Sequence, residues 1–282
     1  MIIDPIPQSK TTLGGKGYRL TLLKGFCAVP EFFVICFENN EEIYLQENQE
    51  KILYAFDANG FEYVAVRSSA KCEDSDIASF AGMFETKLNV TRKWLICAIS
   101  EIVATAKSER VIEYCNLHHI DAAQIEMHVI VQRMVDSRVS GVCFTKQIDD
   151  YENMLIEACW GLGEALVGGS IKPDAYQVNR YSFAVRVVQV VHQKKMLAPF
   201  RPINFCDVPF HMRNAKKLRD DQAMELLQTC LLIEEKLGFV AADIEWSFEN
   251  NKLYILQARP ITWLDNSINS TDERAEVQLC KQ

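Results

Sequence analysis

The stretch DIEWSFENNKLYILQARPIT, Asp243 to Thr262, reads as two strands joined by a tight turn. Its body alternates apolar residues, yet Asp243, Glu245, Gln257 and Arg259 are polar and lie at the far ends of the two strands. Residues i and i+2 of a strand share a face, so Asp243 is oriented like Glu245, and Gln257 like Arg259. An odd-length loop centred on Asn251 sets Glu245 opposite Gln257 and Asp243 opposite Arg259. A two-residue Asn250-Asn251 turn puts the two pairs on opposite faces. With the odd loop, two carboxylates, an amide oxygen and a guanidinium converge. That donor set suits a hard cation beside a phosphate. A plain rim salt bridge from Asp243 to Arg259 fits the spacing equally well.

Outward from this hairpin the chain reads as α+β. Strands are expected at 31–37, 63–70, 128–135, 140–146, 154–160 and over AYQVNR and FAVRVVQVV. Helices are expected at 40–57, over 91–117 and at 219–237. Residues 1–13 read as a polar or extended lead-in, 79–90 as a loop with glycine, and 161–174 as glycine-rich and irregular. Strands in adjacent runs with a few long helices argue for antiparallel-rich sheets.

Composition narrows the function. The chain has 282 residues, 49% hydrophobic and 24% charged, which suits one large two-lobed domain or two small ones. A net charge of −8 argues against broad nucleic-acid or anionic-membrane binding. Ten cysteines without a C-x-x-C pair read as buried reduced thiols of a cytoplasmic protein, and no Cys/His cluster suggests zinc. Apolar runs break well before the roughly 18 residues of a membrane span.

Two further segments carry chemistry. GGKG, Gly14 to Gly17, offers close backbone approach and a helix N-terminus to an anion, with Lys16 adding charge, but it lacks the Walker A spacing. A plain turn before a helix explains it as well. VAVRSSA ends a β run in Arg67, whose partner is a phosphate, a carboxylate, or the nearby Glu73 or Asp74. Gly82 and Thr86 fit a phosphate-covering loop or an ordinary hairpin turn. Gln132, Arg133, Met134 and Val135 end a strand suited to a cleft wall.

Taken in order, LGGKGYRLTLL, VPEFFVI, VAVRSSAKCEDSDIASFAGMFETKLNV, VIVQRMVDSRVSGVCFTK, IEACWGLGEALVGGSIKPDAYQV and the opening hairpin resemble the N-terminal nucleotide-binding domain of phosphoenolpyruvate synthase and pyruvate phosphate dikinase. Rifampin phosphotransferase shares that domain. The resemblance covers Leu13 to Thr262 and implies an ATP-grasp fold, two lobes clamping ATP, with flanking helices. It implies an N-terminal lobe over 1–130, a second lobe over 131–264 and a polar tail over 265–282. It assigns Lys16 and Arg67 to the ATP phosphates, Gly82 and Thr86 to the closing loop, and Gln132 to Val135 to the adenine pocket. Glu245 and Gln257 would bind Mg²⁺. Arg259 would stabilise the moving phosphoryl group, with Asp243 beside it. Glu157 and Glu164 are further cleft candidates. None of the five histidines sits in the T-x-H-like segment that carries phosphate in this family, and there is no room for the pyruvate-binding barrel. The expectation is therefore a kinase-like half that phosphorylates a histidine on a separate domain or protein. A small-molecule kinase and a nucleotide-binding module without turnover are the alternatives.

Overall fold

A computed structural model describes residues 2–3, 10–37, 41–70, 83–122, 125–148, 150–199 and 205–261. The expected site residue Gly82, with Glu73, Asp74 and the tail over 265–282, lies outside them. The described residues up to Asp136 form one compact unit; those over 137–198 and from Phe205 on form a second.

The first unit is built on a five-stranded antiparallel sheet in the order β1-β2-β5-β3-β4. These strands are β1 (Ile2–Ile3), β2 (Phe32–Ile35), β3 (Val64–Ala70), β4 (Thr86–Val90) and β5 (Met127–Arg133). FFVI is buried at every position, as expected of a strand covered on both faces. Helices α2 (Glu41–Ala58) and α3 (Leu95–Ala104) close one face over Phe33, Ile35, Val64, Val66, Val129 and Val131. The helical reading of 91–117 resolves into two helices, α3 and α4 (Glu109–Leu117), parted at the extended Ser108. The expected loop over 79–90 is a strand from Thr86 on.

The lead-in differs from its expectation. Helix α1 (Lys10–Lys24) starts before the glycines and is kinked at Gly14, with φ 73° and ψ 171°. Almost only glycine holds that backbone. A Cβ there would sit 2.2 Å from the Ser69 carbonyl oxygen. GGKG is thus a kink pressed against β3, with helix on both sides.

The second unit carries a six-stranded antiparallel sheet, β13-β12-β6-β7-β8-β9. Its strands are β6 (Val139–Phe144), β7 (Asn153–Trp160), β8 (Asp174–Asn179), β9 (Val185–Gln189), β12 (Ala242–Glu249) and β13 (Lys252–Pro260). A short ribbon, β10 (Lys195–Leu197) with β11 (Phe205–Asp207), was not apparent in the sequence, and 161–174 includes one helical turn, α5 (Glu164–Val167). Helix α6 (Asp220–Leu237) buries Ala223, Leu226, Leu227, Cys230 and Ile233. Two acids in its first turn favour the positive end of the helix dipole, and left-handed Gly238 ends it. Two ion pairs tie this unit together, one fully buried and one part-buried. Lys217 meets Asp174 at 2.7 Å with both side chains fully buried, and Arg180 meets Glu234 at 2.5 Å. The Val191 amide also donates to the Asp174 Oδ1 that Lys217 meets, and the Tyr176 hydroxyl and Lys217 amide donate to Oδ2.

Candidate nucleotide and metal site

The opening hairpin combines features of both sequence alternatives. Glu249 pairs with Lys252, so the turn is the two-residue Asn250-Asn251. Both asparagines have positive φ, 51° and 64°, as a primed turn matching the strand twist requires. That turn alone would set Leu256 opposite Glu245. A register shift between Glu245 and Trp246 inserts one extra residue on β13, and Glu245 then pairs with Gln257 and Asp243 with Arg259. The bulge, not the loop, brings the four polar groups onto one face.

Asp243 Oδ2 accepts from Arg259 Nε at 2.8 Å and from Nη2 at 2.5 Å. Asp243 Oδ1 is buried and has no hydrogen-bond partner among the described residues. Burial pushes the Asp243 carboxyl above its usual range, and Glu245 adds to the rise, while Arg259 pulls the other way. Along the same cross-strand row, Glu245 pairs with Val142 and Val142 with Glu157. Glu157 thus shares the face two strands away, roughly 10 Å by strand spacing. Burial raises its carboxyl too. Beyond it, Gly161 turns with φ 85°, its carbonyl taking hydrogen bonds from Ser137 at 2.9 Å and Ser140 at 2.5 Å. Those serines fix the loop that ends at exposed Glu164. The thiols nearby are poor nucleophiles: burial pushes Cys159 up to about 12 and raises Cys143 as well.

In the first unit a second set gathers. Arg67 is buried and donates through Nη1 to Gln132 Oε1 at 3.2 Å. Gln132 is itself buried, and its Nε2 has no partner among the described residues. Thr86 is exposed and pairs directly with Arg67 across β4 and β3. Lys16 Nζ donates to Ser68 Oγ at 3.3 Å. Ser69 Oγ receives the Gly17 amide at 2.9 Å and donates to the Leu13 carbonyl at 2.8 Å, across the Gly14 kink. Sequence reasoning missed the positioning role of Ser68 and Ser69, although they adjoin Arg67. Two serines in a buried strand need partners, and that requirement was the available signal. Arg133 Nη1 donates to the Met134 carbonyl at 3.1 Å, and Met134 and Val135 are buried. The expected division at 130/131 would cut β5, which lies wholly in the first unit.

These residues fit the groups the sequence suggests. Glu245 and Gln257 are cross-strand partners, and each carries a side-chain oxygen of the kind a hard divalent cation takes. The unpaired Gln132 donor and the buried Arg67 suit an acceptor-rich, anionic ligand.

Two antiparallel sheets with flanking helices define an α+β protein. The family model "Pyruvate phosphate dikinase, AMP/ATP-binding domain" matches residues 44–278, and the chain belongs to that family. Its α+β fold is accordingly of the ATP-grasp class. The chain is 31% identical over 301 residues to the Bacillus subtilis protein named uncharacterized phosphotransferase YvkC, covering 96% of this chain and 36% of that one. It is 35% identical over 206 residues to a probable phosphoenolpyruvate synthase of Methanocaldococcus jannaschii, covering 71% and 17%. It is 36% identical over 205 residues to a Streptomyces rifampicin phosphotransferase, covering 71% and 23%. The chain thus spans between 17% and 36% of the length of these relatives. Among solved structures, D-alanine–D-alanine ligase of Bacillus anthracis matches 87% of this chain and 55% of that one at 9% identity, with a TM-score of 0.41. Among the described residues, no helix is long and apolar enough to cross a membrane.

Proposed function

We propose that the chain is a Mg-ATP-dependent phosphotransferase domain acting in the cytoplasm. It passes a phosphoryl or pyrophosphoryl group from ATP to a histidine on a separate domain or protein. The observation that carries this reading is the bulged hairpin, which holds Glu245 against Gln257 and Asp243 against Arg259 on one sheet face. Family membership and the phosphotransferase names of two relatives support it.

In this reading Lys16 and Arg67 hold the ATP phosphates, with Gly82 and Thr86 in the segment that covers them. Gln132 to Val135 receive the adenine, the unpaired Gln132 amide meeting an acceptor on the base or ribose. Glu245 and Gln257 hold Mg²⁺, which when bound neutralises charge on the phosphate oxygens. Arg259 bears on the moving group, and Asp243 aims it by taking two of its N–H donors. The domain forms no covalent intermediate; it acts by position and electrostatics.

Product analysis tests this. The chain is incubated with Mg-ATP alone and with lysate of its source, and AMP is resolved from ADP. AMP appearing only with lysate, with phosphohistidine on a lysate protein, is the expected result. ADP formed on a small molecule would replace the histidine acceptor, and tight binding without turnover would sink the enzymatic reading.

A further inference from the structure

One feature of the second unit takes no part in this chemistry. Over its residues 192–198 and 205–216 the sequence carries four lysines and arginines against one aspartate, in a chain of net charge −8. The described part is the β10–β11 ribbon followed by a single helical turn at Phe210–Met212. Several bonds hold it rigid. The Gln193 side chain accepts from the Trp160 amide at 2.9 Å and donates to its carbonyl at 3.0 Å. The Trp160 indole donates to the Met212 carbonyl at 3.1 Å, and the Gln193 amide to Arg213 at 3.0 Å. On this frame Phe210 stands 84% exposed and Phe205 46% exposed. The Arg213 guanidinium lies 5.9 Å from the Phe210 ring. Lys194 has no ion pair among the described residues, while Lys195 and Arg213 share Asp207 at 3.1 and 3.7 Å.

A phenylalanine held rigid in water, with an arginine beside its ring, has the composition and preorganisation of an interface anchor. We infer that this ribbon is a docking surface for an acidic protein partner, with Phe210 as its apolar anchor. Charge complementarity selects the partner: the ribbon's cations outnumber its acids. Asp207 pairs with two of those cations and Asp220 with Lys216 at 3.8 Å, leaving too few unpaired to track a phosphate backbone. Two ribbons meeting about a two-fold axis would oppose like charges, which disfavours a second copy. The surface is also removed from the hairpin pair. Trp160 pairs with Val139 and Asp243 with Phe144, at opposite ends of β6, roughly 17 Å apart by strand rise. A partner seated here leaves the Asp243–Arg259 pair uncovered by its contacts with the ribbon. The inference stands without the proposed function.

The test uses the full chain and a synthetic amphipathic helix with leucine on one face and glutamate on the other. A lysine-for-glutamate version and an oligouridylate serve as competing probes. Fluorescence anisotropy measures binding, and hydrogen exchange maps it. The glutamate helix should bind, weaken with salt, and protect amides within 192–216. Phe210→Ala, at an exposed position that leaves folding intact by its melting temperature, should weaken binding about tenfold or more, and Lys194→Glu should weaken it as well. Failure of the glutamate helix to bind overturns the proposal. So does equal binding of the lysine version, tighter binding of oligouridylate, or self-association in sedimentation that Phe210→Ala abolishes.

Discussion

Asp243 is a carboxylate held where ionisation is disfavoured. Burial outweighs its neighbour Arg259 and raises its folded-state pKa above 3.8. From the ordinary value upward through the raised one, the folded state binds more protons than the unfolded, so this group's contribution to stability falls as pH rises. Asp243→Asn removes that dependence. The variant-minus-wild-type difference in melting temperature should become more positive as pH climbs from below 3.8 through the carboxylate range. A flat difference, read by scanning calorimetry at stepped pH, would contradict the assigned burial cost. Arg259 belongs to the same pair but is 37% exposed at its side chain, so solvent screens part of the interaction. Under the proposed function, Arg259→Ala should keep ATP affinity within several-fold while turnover falls about 10²- to 10³-fold, as for other transition-state donors. Titration calorimetry beside single-turnover rates separates the two; equal losses in binding and rate would remove Arg259 from the transition state.

At the scale of elements, local rules carried the sequence reading far but stopped at contacts between distant segments. The strands around Arg67, Val131, Cys143 and Ile156 were legible because long β-forming runs mark them, and α6 because its apolar residues recur at helical spacing. The hairpin was legible as a pair of strands but not in register. Asn-Asn demands a tight turn, and only the bulge beyond it decides which residues face each other. The Gly14 kink was invisible because its cause, the Ser69 carbonyl, lies far away in sequence. Gly14→Ala should therefore be costly twice, through positive φ and through a Cβ 2.2 Å from Ser69 O. We expect roughly 2–3 kcal/mol of lost stability in urea titrations, from strain and overpacking. Gly60→Ala shares the positive φ, 64°, with nothing within 4 Å, and should cost only about 1 kcal/mol. Equal costs for the two would show that α1 does not press on β3.

For the whole molecule, the consequence lies in having two cores. One is built on Phe33, Ile52, Val66 and Ile99, the other on Ile156, Trp246, Leu226 and Ile233, and each belongs to its own compact unit. Units with separate cores need not unfold together. Differential scanning calorimetry without nucleotide should give two transitions, or a calorimetric enthalpy well above the van't Hoff value. Gly14→Ala should lower one transition. Gly141→Ala should lower the other, because a Cβ at Gly141 would lie 1.8 Å from the Glu157 carbonyl oxygen and 2.8 Å from the Trp246 ring. The expected ligand residues are also divided, with Lys16, Arg67 and Gln132 in the first unit and Asp243, Glu245, Gln257 and Arg259 in the second. If all seven act on one nucleotide, Mg-ATP stabilises both units through a single binding event, and both transitions rise together by mass action. Titration should then find one ATP per chain, weakened alike by Arg67→Ala and by Glu245→Gln. A rise confined to one transition, or a second equivalent of ATP that survives either substitution, would separate the two sets and refute their shared ligand.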